Sequence, residues 1–212
     1  MNKLEIRKTI IPSGYETTVF FVDGKPLYEY ISEWLFDKPA LLDSISPVDD
    51  LAISWTDHYD YEGDARFMKY VLSQNKAITP ILSCPDDYDF SCIVIVADVS
   101  SQGNQVIWKR IGKVNHSEES FEEEKRSGIL FTEAYTDDDW KRYGDSIALV
   151  NMNSQEWCEW IGRNWSEELY RRRVNYTYPY FQNEKHIDWF SNCSFVFDRK
   201  EYDQIVKCCY SF

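Results

Sequence analysis

The chain is poor in glycine, with 8 in 212 residues. Loops that cradle phosphate need glycine where backbone must approach the ligand closely, and neither a P-loop nor a dinucleotide glycine fingerprint occurs. A G-x-S-x-G nucleophile elbow is also missing. Histidine is scarce, with only His58, His116 and His186. The six cysteines contain no C-x2-C pair, so the short-spaced ligand pairs of a structural zinc site are absent. Apolar runs end after about five or six residues, far short of the roughly 20 that a membrane-spanning helix needs. Basic charge is in deficit: 23 Lys and Arg face 36 Asp and Glu, a net charge of −13 at pH 7. That balance disfavours nucleic acid and anionic lipid as partners.

What is present is core-forming material. Apolar residues make up 43% and aromatics 17% of the chain, which excludes disorder as its main state. No Pro/Gly/Ser-rich linker or internal repeat divides it, so residues 1–212 are expected to form a single domain. The opening residues MNKLEIRKTIIPSGYE carry no apolar signal-peptide segment. The expectation is therefore a cytoplasmic protein whose cysteines stay reduced and act as small buried residues.

The pattern centres on Ile78–Gly112. Three β segments are expected there, Ile78–Ser83, Cys92–Val99 and Gln105–Ile111, with a Ser/Gly/Asn-rich turn at Ser100–Asn104 before the third. The run Ile93–Ala97 is apolar on both faces, which predicts a buried central strand. Upstream, Leu4–Ile11 and Thr17–Val22 read as strands. Leu27, Tyr30, Ile31, Trp34 and Leu35 then fall at helical spacing, with Pro26 suited to a first turn. Residues 37–50 read as irregular, Leu51–Trp55 as a short strand and Asp64–Ser73 as a helix. Downstream, helical patterns are expected at His116–Arg126, Asp137–Tyr143 and Ser154–Val174, and strands at Ile129–Tyr135 and Cys193–Phe197. Arg199–Cys209 closes the chain as a helix. Mixed order without regular βαβ units predicts an α+β fold with a mostly antiparallel sheet and flanking helices.

Candidate chemistry is sparse. Cys84 and Cys92 flank a polar loop, but a cysteine nucleophile needs an activating base, and no partner is legible in the sequence. No metal or cofactor is expected. Arg171-Arg172-Arg173, followed by Tyr176, Tyr178, Tyr180 and Phe181, would suit RNA stacking; it also suits a helix C-terminus, where cations are favourable. The densest feature is Asp43–Asp64, with seven acids and no Lys or Arg. Trp55, Tyr59 and Tyr61 interleave with Asp49, Asp50, Asp57, Asp60 and Glu62. One reading is a solvated loop whose aromatics turn inward. The other is a binding face for a basic protein partner, with aromatic anchors and steering carboxylates. Residues 1–104 carry 17 of the acids against 8 Lys and Arg, which places the negative field in the first half.

The strand ending Val22-Asp23-Gly24, then Trp55-Thr56-Asp57, the strand to Cys84, the loop to Cys92 and the Val106-Ile107-Trp108 strand resemble a group of uncharacterised bacterial proteins. Relatives in that group often have a C-x-C-G-x-x-G-C-like loop; this chain has only Cys84 and Cys92 there and no glycine, so no metal site is implied. Small acidic proteins of this sort resemble immunity proteins of bacterial polymorphic toxin systems. The resemblance implies a non-enzymatic inhibitor that binds and blocks a cognate toxin. Two alternatives share the composition: a small hydrolase using carboxylates or cysteine beside the sheet, and an acidic nucleic-acid mimic that blocks a defence protein.

Overall fold

The computed structural model describes residues 1–56, 59, 62–86, 90, 92–115, 166, 169–171 and 173–210. The expected elements at His116–Arg126, Ile129–Tyr135 and Asp137–Tyr143, and most of Ser154–Val174, lie outside them. The fold is α+β, with antiparallel sheets and flanking helices.

A three-stranded ribbon opens the chain. Strands β1 (Leu4–Ile10) and β2 (Glu16–Val22) pair in full register, and β3 (Lys25–Pro26) adds two residues beyond β2. The β2–β3 turn is Asp23-Gly24, with both residues at positive φ (52° and 81°). Only a short polar side chain and a glycine enter that region cheaply. The Asp23 carboxylate accepts hydrogen bonds from the Lys3 amide (2.7 Å) and Asn2 Nδ2 (2.6 Å). These bonds hold its carboxyl below the usual carboxylate range. The V-D-G motif is thus a turn that also clamps the chain start. Helix α1 (Leu27–Trp34) follows at once and buries Leu27 and Ile31, so the segment after the turn forms both a brief hairpin and the expected helix.

Residues 37–50, expected to be irregular, contain the short helix α2 (Pro39–Asp43) and a 3-10 turn at Val48–Asp50. The main sheet then runs β4 (Ala52–Ile53), β5 (Lys76–Ser83), β6 (Val94–Gln102), β7 (Gln105–Val114) and β8 (Ile187–Ser191). Strand β9 (Phe195–Asp198) pairs with the first half of β7, while β8 pairs with its second half. Residues Val94–Ser100 of β6 are all buried, as the two-sided apolar run requires. Strand β5 carries Pro80 within the sheet, and its register shifts between Pro80 and Leu82, the kind of irregularity that tolerates a proline without a donor. The freed Pro80 carbonyl accepts from Trp55 Nε1 at 2.9 Å.

Helix α3 (Glu62–Leu72) packs on β5 and on a π-helical turn at Arg173–Thr177, which leads into α4 (Tyr178–Gln182). Helix α5 (Arg199–Cys209), N-capped by Asp198 through the Glu201 amide at 3.1 Å, lies against β1, β7 and β9. One large cluster forms the main core, and Ile11, Val19 and Phe21 form a separate small one on the ribbon. The aromatic centre of the main core joins Phe20, Trp55, Trp108, Phe197 and Tyr202, with ring centroids 4.9–6.4 Å apart in mostly edge-on pairs, the geometry ring quadrupoles favour.

Candidate functional site

The structure divides the acidic segment into parts with different roles. Trp55 is buried, 2% exposed, and Tyr59 is buried with its hydroxyl donating to the Ser54 carbonyl at 2.7 Å. Neither is a surface anchor, which corrects the expectation for both and agrees with the inward-turned reading. The cause is local: Ile53 and Trp55 are two apart on one side of an extended segment, so both project into the core. Asp57, Asp60 and Tyr61 lie outside the described residues. Glu62 is exposed at the start of α3.

Asp64 is not a surface acid either. It and Arg173 are both 0% exposed and form an ion pair with Nε–Oδ1 at 2.7 Å. Arg173 also donates from Nη1 to Thr177 Oγ1 at 3.3 Å, and its guanidinium carbon lies 5.2 Å from the Phe90 ring centroid. The Arg171–Arg173 cluster therefore does not present all its cations to solvent. Tyr180 and Phe181, offered as stacking platforms, are in the core.

What remains of the segment joins other acids. Asp49 Oδ2 accepts from the Ser13 amide (3.1 Å), and the single Ser13 hydroxyl proton is shared between Asp49 Oδ2 (2.9 Å) and Asp50 Oδ1 (2.5 Å). These bonds dock the β1–β2 tip onto the Val48–Asp50 turn. Between that turn and α1 runs a groove of about 590 Å³, whose charged lining among the described residues is Glu29, Glu33 and Asp49, with no lysine or arginine. Tyr28 lies in it, and burial, followed by the Glu29 and Asp49 charges, pushes its hydroxyl above the usual phenol value. Glu33 pairs with Lys25 at 2.5 Å. Over residues 28–50 six carboxylates face one lysine, Lys38.

Apolar anchors also occur here, though not the expected ones. Phe36 is 86% exposed, Ile10 71% and Tyr15 46%. Glu29, Ser32, Glu33 and Phe36 stand at i, i+3, i+4 and i+7, one stripe of α1 and its C-terminal extension. Ile10 and Tyr15 flank the Ser13 tip that Asp49 and Asp50 hold. The apolar spacing of α1 marks only the face that enters the core, so Glu29, Glu33 and Phe36 are not legible from it as a site.

The cysteines are a separate matter. Cys84, Cys92, Cys193, Cys208 and Cys209 are not in disulfides. Cys84 is buried where β5 ends, its amide donating to the Ile93 carbonyl at 2.9 Å across the loop mouth. Burial pushes the Cys193 and Cys209 thiols up, the latter to about 12, the opposite of what a nucleophile needs. The His186 ring stacks on Tyr180, centroids 3.9 Å apart, with Nδ1 2.9 Å from the Tyr180 carbonyl. Among the described residues no group of three His, Cys, Asp or Glu is placed to hold a metal ion, and no helix is long and apolar enough to cross a membrane.

No family model matches the sequence, and no curated protein or solved structure is significantly similar to it.

Proposed function

We propose that this protein is a non-enzymatic binding protein that engages a basic protein partner through the face built by α1, residues 37–50 and the β1–β2 tip. The resemblance to immunity proteins makes the partner a cognate toxin and the outcome its neutralisation, with the chain acting in the cytoplasm. The observation that carries the reading is the groove whose charged lining, among the described residues, is entirely acidic, with the exposed Phe36 three residues beyond Glu33. Carboxylates at a rim raise the encounter rate and reject acidic surfaces, while a large apolar side chain that loses water on docking supplies affinity. Steering of this kind changes association rates by roughly 10- to 1,000-fold and weakens with salt.

The test uses Glu29, Asp37 and Asp43, exposed acids outside the Ser13 contact. Wild-type protein immobilised from the native host is compared with a Glu29→Lys/Asp37→Lys/Asp43→Lys variant, and captured proteins are identified by mass spectrometry. The expected result is a basic protein retained by wild type and lost by the variant, with association slowing as salt rises. Capture of the same proteins by both would sink the reading. Displacement of the captured protein by duplex DNA or RNA would instead favour the nucleic-acid mimic.

A further inference from the structure

A cleft of about 680 Å³ is lined by the β1–β2 ribbon, residues 52–56 and α5, and it shares no residue with the acidic groove. Its two long walls follow from two periods. On the ribbon, Leu4 and Ile6 are two apart in β1, and Ile6 pairs with Phe20, two residues from Thr18 in β2. Leu4, Ile6 and Thr18 therefore share one face of the ribbon. On α5, Glu201, Gln204, Ile205 and Cys208 stand at i, i+3, i+4 and i+7, one stripe of the helix, and all four line the cleft. Tyr202, off that stripe, is in the core. Ile53 and Trp55 complete the lining from the extended segment between the walls.

Leu4, Ile53 and Trp55 line the cleft although each is buried. A protein surface laid across the mouth would not reach them; a molecule small enough to enter does. The Trp55 ring is fixed in place. Its Nε1 donates to the Pro80 carbonyl at 2.9 Å, and the Phe20 and Tyr202 ring centroids lie 4.9 and 5.4 Å away. The apolar part of the site is thus built before any ligand arrives. Polar groups come from the two walls: Thr18 supplies a hydroxyl and Gln204 a primary amide, each able to donate and to accept. Among the described lining residues the charged ones are Lys3 and Glu201, one of each sign, and Lys3 is paired with Glu5 at 3.0 Å.

We infer that this cleft binds a small uncharged amphipathic molecule, its apolar body against Ile6, Ile53, Trp55 and Ile205 and a hydroxyl or carbonyl oxygen at Thr18 and Gln204. The volume lies within the roughly 300–1,000 Å³ typical of ligand pockets, and apolar walls with a few placed polar groups are their usual lining. An ionised group would lose hydration on entry, and the described lining holds no excess of either charge to compensate it.

Cys208 lines the cleft and is exposed, so its thiol reports occupancy. The experiment titrates the full chain calorimetrically at neutral pH with 2-naphthol, naphthalene and 2-naphthoate, and follows Cys208 alkylation by iodoacetamide with and without each. The expected result is one saturable site for 2-naphthol. Naphthalene should bind about three- to tenfold more weakly, the worth of one net hydrogen bond, and 2-naphthoate about tenfold or more weakly. Alkylation of Cys208 should slow in step with 2-naphthol occupancy. Thr18→Val/Gln204→Leu, two near-isosteric changes outside the buried core, is expected to bring 2-naphthol down to the affinity of naphthalene. Ile205→Trp, which fills the cleft, is expected to abolish both. Absence of a saturable site, 2-naphthoate binding as tightly as 2-naphthol, or an alkylation rate indifferent to occupancy overturns the inference. Dimerisation that shields Cys208 without ligand would place a second copy over the cleft and overturns it as well. Should Ile205→Trp fail to fold, the wild-type alkylation rates decide alone. None of these results bears on the acidic groove.

Discussion

Asp64→Asn removes one charge and almost no volume, so its cost is electrostatic. In the wild-type protein both members of the Asp64–Arg173 pair are fully buried at 2.7 Å, among Tyr59, Phe67, Phe90 and Phe181. At an effective dielectric constant near 20, unit charges about 4 Å apart attract by about 4 kcal/mol. Deleting the Asp64 charge takes from the buried guanidinium the carboxylate that lies 2.7 Å away, and breaking a buried pair costs about 3–5 kcal/mol. A domain of this size has about 5–15 kcal/mol in total, and each kcal/mol shifts its Tm by about 2–4 °C. Asp64→Asn should therefore lower the Tm by roughly 10 °C and move the urea midpoint down at nearly unchanged m-value, followed by tryptophan fluorescence. Asp64→Leu/Arg173→Met removes both desolvation costs and should recover at least half of the loss. A cost below about 1 kcal/mol for Asp64→Asn would refute the reasoning, because the buried pair would then contribute no more than an exposed one.

Three further outcomes are expected. Tyr202→Phe removes the acceptor of Trp108 Nε1, and the stranded buried N–H should cost about 1–3 kcal/mol in chemical denaturation. Gly112→Ala would bring a Cβ to 2.7 Å from Ile187 Cγ2 and 2.9 Å from the Asp188 carbonyl; the β7–β8 contact should loosen by about 1–3 kcal/mol, seen as faster amide exchange in 187–191. Burial pushes the Cys209 thiol up to about 12, with Cys208 adding to the shift, while Cys208 itself is exposed. Iodoacetamide at neutral pH should therefore modify Cys208 and spare Cys209 until the protein unfolds. A raised thiol contributes stability that is full below its unfolded value of about 8.5 and is lost as the pH climbs towards the folded value, so the unfolding midpoint should fall on the alkaline side.

The fold was legible where the chain repeats a period. Ile93–Ala97 announced a strand buried on both sides, the i, i+3, i+4 pattern at Leu27–Leu35 announced α1, and Arg199–Cys209 was bounded to the residue. Strand β8 was missed because Ile187–Ser191 is short, with Asp188 and Trp189 interrupting any clean alternation. Acidity was misread in one particular way. Asp64 stands at i with Phe67, Met68 and Val71 at i+3, i+4 and i+7, all buried on the same stripe of α3; counting charges by segment hid what helical position revealed. Its partner lies 109 residues away, a distance over which no local pattern carries information. The carboxylates of the acidic groove were partly visible, as Asp49, but Glu29 and Glu33 join it only because α1 packs beside the Val48–Asp50 turn.

The central claim is that a basic protein docks on the α1 face. Hydrogen–deuterium exchange of the protein alone and with its captured partner tests it most directly. The account predicts new protection at residues 10–15 and 28–50, lost in the Glu29→Lys/Asp37→Lys/Asp43→Lys variant, with α5 unchanged. Protection confined to α5 or to the β8–β9 edge, with residues 28–50 exchanging as in the free protein, would contradict it.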